Sequence, residues 1–338
     1  MIKELCVIGH PSEVGGAGTE LMDQISLWRW MGIKVYLYSK NSHKNNKTRS
    51  KLEKLGCFYV DTNDNFSNLK DFNVISFCNK YFLQNIETIK KYARNAIFVN
   101  CMTWNFDEEL IAQENDHIDL HLYQTNHQFL SVSKKLKNLG TKYNYKLFHT
   151  YFDSSSFPFI DRNNTNKFNF GRISRSDLSK YSNDQLWIWD RIVSPKQKRG
   201  IILGWNEILQ AKFGEDIPYY VTTHAANSIS RQDFYKECDF IIMSTNTYEN
   251  LPRVGLEAMS SGSLLIVDRR DGWKVLVDDG HSGWLCGDRN EFVYKASRAA
   301  FEKDESNNMR MNARNIIDKK YTKEISSQSW EKIFNSLQ

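Results

Sequence analysis

From Leu5 to Asp268, short apolar runs of strand length alternate with stretches whose apolar residues recur at helical spacing. That alternation restricts the chain to parallel sheets covered by helices, because a parallel neighbour is reached only by a crossover, usually a helix. Leu5–Gly9, Lys34–Ser39, Cys57–Val60, Asn73–Cys78, Ala96–Cys101 and His121–Thr125 read as strands. Thr19–Met31, Phe82–Arg94 and Gln128–Leu139 read as helices. Tyr143–His149 closes this half. Turn formers then cluster and periodicity vanishes over 153–166, which marks a linker. The pattern restarts with strands at Lys167–Ile173, Arg199–Trp205, Tyr219–Thr223, Phe240–Thr245 and Leu264–Asp268 and helices at Glu207–Phe213 and Ser230–Glu237. Helices are expected over Arg289–Glu302, Ser306–Asp318 and Lys323–Leu337. At 338 residues the chain suits two domains, 1–152 and 167–322, with a closing helix at 323–338.

In open α/β sheets ligands bind outside the carboxyl ends of the strands, so the loops there carry the candidate chemistry. The first strand runs into a glycine-rich turn, His10–Gly18, whose Gly15, Gly16, Ala17 and Gly18 let backbone N–H groups approach a phosphate or sugar. No Gly-Lys-Ser/Thr follows, so it is not a Walker A loop. Position 21 is Leu, and no acid follows the second strand, which disfavours a dinucleotide. The loops Asn100–Trp104 and Tyr123–His127 also follow strands, although Thr103, Asn105 and Asn126 there suit helix caps equally well.

The most informative stretch is Glu249–Gly262, E-N-L-P-R-V-G-L-E-A-M-S-S-G. It lies between two strand-like runs, and Pro252 suits the first turn of a helix. Glu249 then sits in the loop and Glu257 on the helix. The helix start, with Asn250, Leu251 and Pro252, favours a phosphate, and two acids beside it can accept hydrogen bonds from sugar hydroxyls. The same acids also suit a helix dipole and a solvated face.

This stretch, with Gly272, Gly280 and Gly283-Trp284-Leu285, resembles the donor site of GT-B glycosyltransferases of family 4. The glycine turn with its Thr-Glu-Leu helix is similar to the turn that opens many of them. The resemblance implies two Rossmann-like domains facing a central cleft, with the last helix returning to the first domain. It implies a retaining, metal-independent transfer of a hexose from a nucleotide-diphospho-sugar, with UDP as the expected nucleotide and no cofactor. Glu249 would contact the transferred sugar and Glu257 the ribose. Arg172, in Phe170-Gly171-Arg172, would pair with the diphosphate, for which a guanidinium fork is well shaped. Lys180 comes eight positions after Arg172, later than the family's usual second cation. Glu249 and Arg172 are the expected catalytic pair. His10, Trp104, Asn126 and His127 are the candidate acceptor contacts, with the acceptor a glycan, a lipid or a modified DNA base. A nucleotide-sugar epimerase and a non-catalytic sugar-binding module are the alternatives.

Composition narrows this little further. The 6 cysteines are scattered, with no zinc-like cluster, and suit buried free thiols. The net charge of +5 concentrates in Lys40–Lys54 and Lys134–Lys146. Such runs are read as solvated faces, with an anionic membrane surface or DNA as alternative partners. No apolar run reaches a membrane span, and the chain opens on a strand without a leader, so the expected location is cytoplasmic or peripheral to a membrane.

Overall fold

The computed structural model describes residues 2–12, 15–39, 46–63, 65–162, 166–214 and 217–337. Glu13 and Val14 of the glycine turn, Lys40 and Lys44 of the first basic run, and Asn163–Thr165 of the expected linker lie outside them. The chain divides into two compact units, Met1–Phe152 with Tyr321–Gln338, and Asp153–Lys320. The segment 153–162 belongs to the second unit.

The first unit is built on β1 (Glu4–Ile8), β2 (Lys34–Tyr38), β3 (Phe58–Tyr59), β4 (Asn73–Phe77), β5 (Asn95–Val99), β6 (Leu120–Tyr123) and β7 (Tyr145–Leu147). They form one sheet in the order β3-β2-β1-β4-β5-β6-β7, with parallel pairing throughout. The order reverses between β1 and β4, which makes the carboxyl ends of those strands the topological switch point. The helices are α1 (Gly16–Trp30), α2 (Asn46–Lys54), α3 (Lys80–Gln84), α4 (Ile86–Lys90), α5 (Asp107–Glu114) and α6 (Asn126–Leu136). One helix expected over Phe82–Arg94 is two, because Asn85 leaves helical geometry and its Nδ2 donates to Tyr81 O at 2.8 Å. The basic run at 46–54 is α2, and α5 is a further helix within what reads as loop.

The last helix, Lys323–Asn335, completes this unit by packing on α1. Trp330 is fully buried and meets Trp28 edge-on at 4.9 Å. Its Nε1 donates to Gln24 Oε1 at 2.6 Å, and Gln24 Nε2 donates to buried Glu20 at 2.8 Å. A polar chain therefore crosses an otherwise apolar contact and fixes its register. Trp330→Ala is expected to cost about 3–5 kcal/mol through the cavity it leaves. Differential scanning calorimetry should register this as a lower Tm, and a wild-type melt would mean that the helix is not part of the core.

The second unit repeats the plan. Its strands are β8 (Phe168–Ile173), β9 (Lys198–Trp205), β10 (Val221–Ala225), β11 (Phe240–Met243), β12 (Leu264–Asp268) and β13 (Trp284–Cys286), in the order β10-β9-β8-β11-β12-β13. All pairings are again parallel. The order reverses between β8 and β11, the strands that precede Lys180 and Glu249. Every residue of β11 and β12 is buried, as expected for strands covered on both faces. The helices are α7 (Gln185–Arg191), α8 (Glu207–Phe213), α9 (Arg231–Glu237), α10 (Arg253–Ser261), α11 (Asp271–Leu276), α12 (Arg289–Phe301) and α13 (Lys303–Lys320). No cysteine is in a disulfide, and Cys78 and Cys101 are only half-buried.

Candidate functional site

At the switch point of the second unit, two loops are tied together. The loop after β8 includes a single 3-10 turn, Leu178–Lys180, whose start is fixed by Asp177 accepting from the Ser179 N–H at 2.9 Å. The loop after β11 runs from Ser244 to Pro252. Asn246 N donates to Ser179 O at 3.1 Å, and Ser182 N donates to Ser244 O at 3.2 Å. Lys180 Nζ then reaches Glu249 Oε1 at 2.6 Å. Both side chains of this pair are about one-fifth exposed, at 19% each, so a ligand can reach them.

Gly272 holds the Glu249 side of the loop. Its N–H donates to Glu249 O at 2.9 Å. A Cβ there would lie 1.7 Å from Asn250 O and 2.8 Å from Glu249 O, so only glycine permits this approach. Thr245 is anchored as well: its N–H and Oγ1 donate to Asp268 Oδ2 at 2.8 and 3.0 Å. Burial raises the Asp268 carboxyl above its ordinary value, opposed by Arg270 and by these hydrogen bonds.

Arg172 departs from expectation. It is fully buried, and its fork is turned into the protein. Nη1 donates to Gln185 Oε1 and to Ser244 O, the latter at 2.9 Å, while Nη2 donates to the carbonyl of Lys180. The guanidinium also lies 3.8 Å from the centre of the Tyr181 ring. Burial lowers its pKa, and the charges of Tyr181, Asp268 and Glu249 oppose that. With no exposed surface and both Nη groups on protein acceptors, the side chain faces inward, and its buried Nε has no acceptor among the described residues. Where a direct donor ligand was expected, the fork instead holds the Lys180 carbonyl and so the backbone that carries Lys180.

Glu257 lies on α10 and is 1% exposed. Arg231, the first residue of α9, donates to its Oε1 through Nη1 and remains 38% exposed. The carboxylate thus sits inside the protein with its partner at the surface. Asn250, Leu251 and Pro252 are buried between the two glutamates, and Pro252 stands at the N-cap of α10 rather than in its first turn. Arg231, Gln185, Tyr181, Asp268 and Arg270 are site residues beyond those the sequence reading named.

In the first unit, Gly15 caps α1 with φ 100°, and Gly18 packs so closely on Ser12 that a Cβ would lie 2.2 Å from its Oγ. His10 follows β1 and takes Tyr59 OH at 3.2 Å on Nε2, with Nδ1 3.2 Å from Pro11 O. Burial lowers its pKa, the Pro11 contact opposes this, and Arg49 adds to it. Burial likewise pushes Tyr59 up to about 12. Trp104 follows β5 and is 53% exposed. Asn126 and His127 open α6 and are exposed, and the cap is Thr125, whose Oγ1 accepts from Gln128 N at 3.1 Å. All four acceptor candidates therefore share the carboxyl edge of one parallel sheet. Lys47, Lys51 and Lys54 on α2, Lys134 and Lys135 on α6 and Lys137 at its C-cap are solvent-exposed. Among the described residues no cluster of His, Cys, Asp or Glu could hold a metal, and no helix is long and apolar enough to cross a membrane.

Residues 226–318 match the family described as glycosyl transferases group 1, a segment that holds Arg231, Glu249 and Glu257. No curated protein matches the chain in sequence. The fold is that of GT-B glycosyltransferases. HepE (Alr3699) of Anabaena, solved in complex with UDP-glucose, is 14% identical over 98% of this chain and 99% of its own, with a TM-score of 0.74. TarM is 12% identical over 99% of each chain, with a TM-score of 0.75. Sucrose-phosphate synthase of Thermosynechococcus elongatus is 11% identical over 99% of each chain, with a TM-score of 0.73.

Proposed function

We propose that the chain is a glycosyltransferase that moves a hexose from a UDP-sugar to an acceptor, with retention of configuration and without a metal. The observation that carries this reading is the Lys180–Glu249 pair at the switch point, with the buried Glu257 on α10, the helix that follows the Glu249 loop. HepE, of the same fold, is described in complex with UDP-glucose, and a TarM variant of S. aureus in complex with UDP, fondaparinux and α-GlcNAc-glycerol.

Breaking the bond between sugar and diphosphate leaves negative charge on the departing phosphate. Lys180 is the cation at hand to stabilise it. Glu249, 2.6 Å from that ammonium, lies where sugar hydroxyls can donate to it. Glu257 serves the ribose, and Arg231 supplies its carboxylate with a cationic partner. Arg172 acts at one remove, as a positioning residue. His10, Trp104, Asn126 and His127 are the proposed acceptor contacts. The exposed lysines of α2 and of α6, helices that connect strands at opposite edges of the sheet, are where an anionic membrane or DNA acceptor would meet the first unit.

Two substitutions test the division of labour. Glu257→Ala is expected to weaken UDP binding by about tenfold, the worth of a hydrogen bond to a charged group. Glu249→Ala is expected to leave UDP affinity nearly unchanged and to lower turnover of the sugar donor. Isothermal calorimetry with UDP and an assay of UDP release separate the two effects. UDP affinity untouched in Glu257→Ala would overturn the ribose assignment. An epimerase would release altered sugar from the donor alone, which product analysis detects.

A further inference from the structure

The opposite edge of the second unit's sheet carries a second basic site. Phe168 and Phe240, the first residues of β8 and β11, line a pocket there together with Arg162, Lys167, Lys196, Lys303, Arg310 and Asp239. Among the described lining residues, five side chains are cations, of which Lys196 is already engaged, and one is a carboxylate. Lys167 and Lys303 are exposed at the rim. The floor is buried, with Arg162 and Arg310 only 7% and 5% exposed. This edge lies one strand away from Lys180 and Glu249, roughly 20 Å at about 3.3 Å per residue.

The two arginines do not share Asp239 evenly. Arg162 Nη1 lies 3.4 Å from Asp239 Oδ1, and its fork also caps carbonyls at Tyr235 and Lys236. Asp239 Oδ2 is taken by Asn169 Nδ2 at 3.1 Å. Among the described residues, Arg310 donates to neutral acceptors, Asn307 Oδ1 at 2.7 Å and Asp239 O at 3.2 Å. The Nε of both arginines is buried with no acceptor among the described residues. Burial lowers Arg310 to about 10, with Asp239 opposing and Arg162 adding to the effect. A buried guanidinium without a carboxylate of its own is costly, and an anion entering the pocket would relieve that cost.

We propose that this pocket is a binding site for a phosphate group, separate from the donor site. The rim lysines supply the direct contacts, and the buried arginines, whose Nη groups are held by protein acceptors, add positive charge beneath them. The phosphate can belong to a free phosphorylated molecule or to a lipid headgroup, and the two sources are told apart experimentally.

Inorganic phosphate is titrated against the full chain at constant ionic strength, with binding read by calorimetry and Tm. Saturable binding is expected, about tenfold weaker in the exposed double variant Lys167→Ala/Lys303→Ala, since each charge-assisted contact is worth roughly a factor of ten. UDP affinity in that variant should equal wild type, and Lys180→Ala should leave the phosphate isotherm in place. In a second arm, phosphatidylcholine vesicles with and without phosphatidylglycerol are sedimented with both proteins. Lysine-dependent co-sedimentation only with phosphatidylglycerol assigns the phosphate to a headgroup, and a response to inorganic phosphate alone assigns it to a free molecule. No saturable response in either arm, or equal responses in wild type and the double variant, overturns the proposal.

Discussion

Lys180→Ala is expected to lower turnover of a UDP-sugar by about 10²–10³-fold, the usual loss when one preorganised donor to a developing anion is removed. The argument is local. Lys180 Nζ is held by Glu249 at 2.6 Å, and its carbonyl is held by the buried Arg172. The ammonium is therefore oriented before the donor arrives, so little reorganisation remains at the moment of bond cleavage. Stability should change little. The pair is one-fifth exposed, and partly exposed ion pairs contribute about 1 kcal/mol or less. A variant that melts like wild type but releases UDP far more slowly is the expected result. Unchanged turnover would remove Lys180 from the reaction and with it the proposed handling of leaving-group charge. Lys180→Arg should not restore full rate, because a planar fork cannot replace a compact ammonium in the same hydrogen bond.

How far the sequence foretold this site depends on whether each residue's role is local. The Glu249–Gly262 stretch was legible because its signals are local: a strand on either side, a proline at the helix start and two acids at fixed spacing. The strand Leu264–Asp268 and the helix Glu207–Phe213 have the bounds expected of them. Helix α7 was not foreseen, since Gln185-Leu-Trp-Ile-Trp-Asp-Arg is rich in residues that favour strands, and burial of Leu186, Ile188 and Trp189 overrides that preference. Helix α5 did carry its own start signal, acids at 107–109, with Glu109 reaching back to the Phe106 N–H at 3.2 Å. The partnership of Arg231 with Glu257 joins residues 26 positions apart on different helices, and no local pattern announces it.

Arg172 shows the same limit from the other side. The family resemblance implies a phosphate ligand at this arginine, which ends a central strand beside a ligand loop. That its fork turns inward depends on Gln185, Ser244 and Tyr181 arriving from separate elements. The inward fork yields the second large prediction. Arg172→Ala removes a donor to two backbone carbonyls and to Gln185, leaving buried acceptors unsatisfied at about 1–3 kcal/mol each. A total loss of roughly 3–5 kcal/mol is expected, similar to breaking other buried charged networks. A purely structural role would stop there. A positioning role predicts more: at a temperature where the variant stays folded, kcat should fall well beyond any change in KM. The loss should also fail to add to that of Lys180→Ala, because the double variant lacks the ammonium that Arg172 positions. Arg172→Lys should rescue neither property, since one ammonium cannot span the acceptors the fork now joins. Additive losses in the double variant would show that Arg172 works independently of Lys180, and would return it to direct contact with the donor.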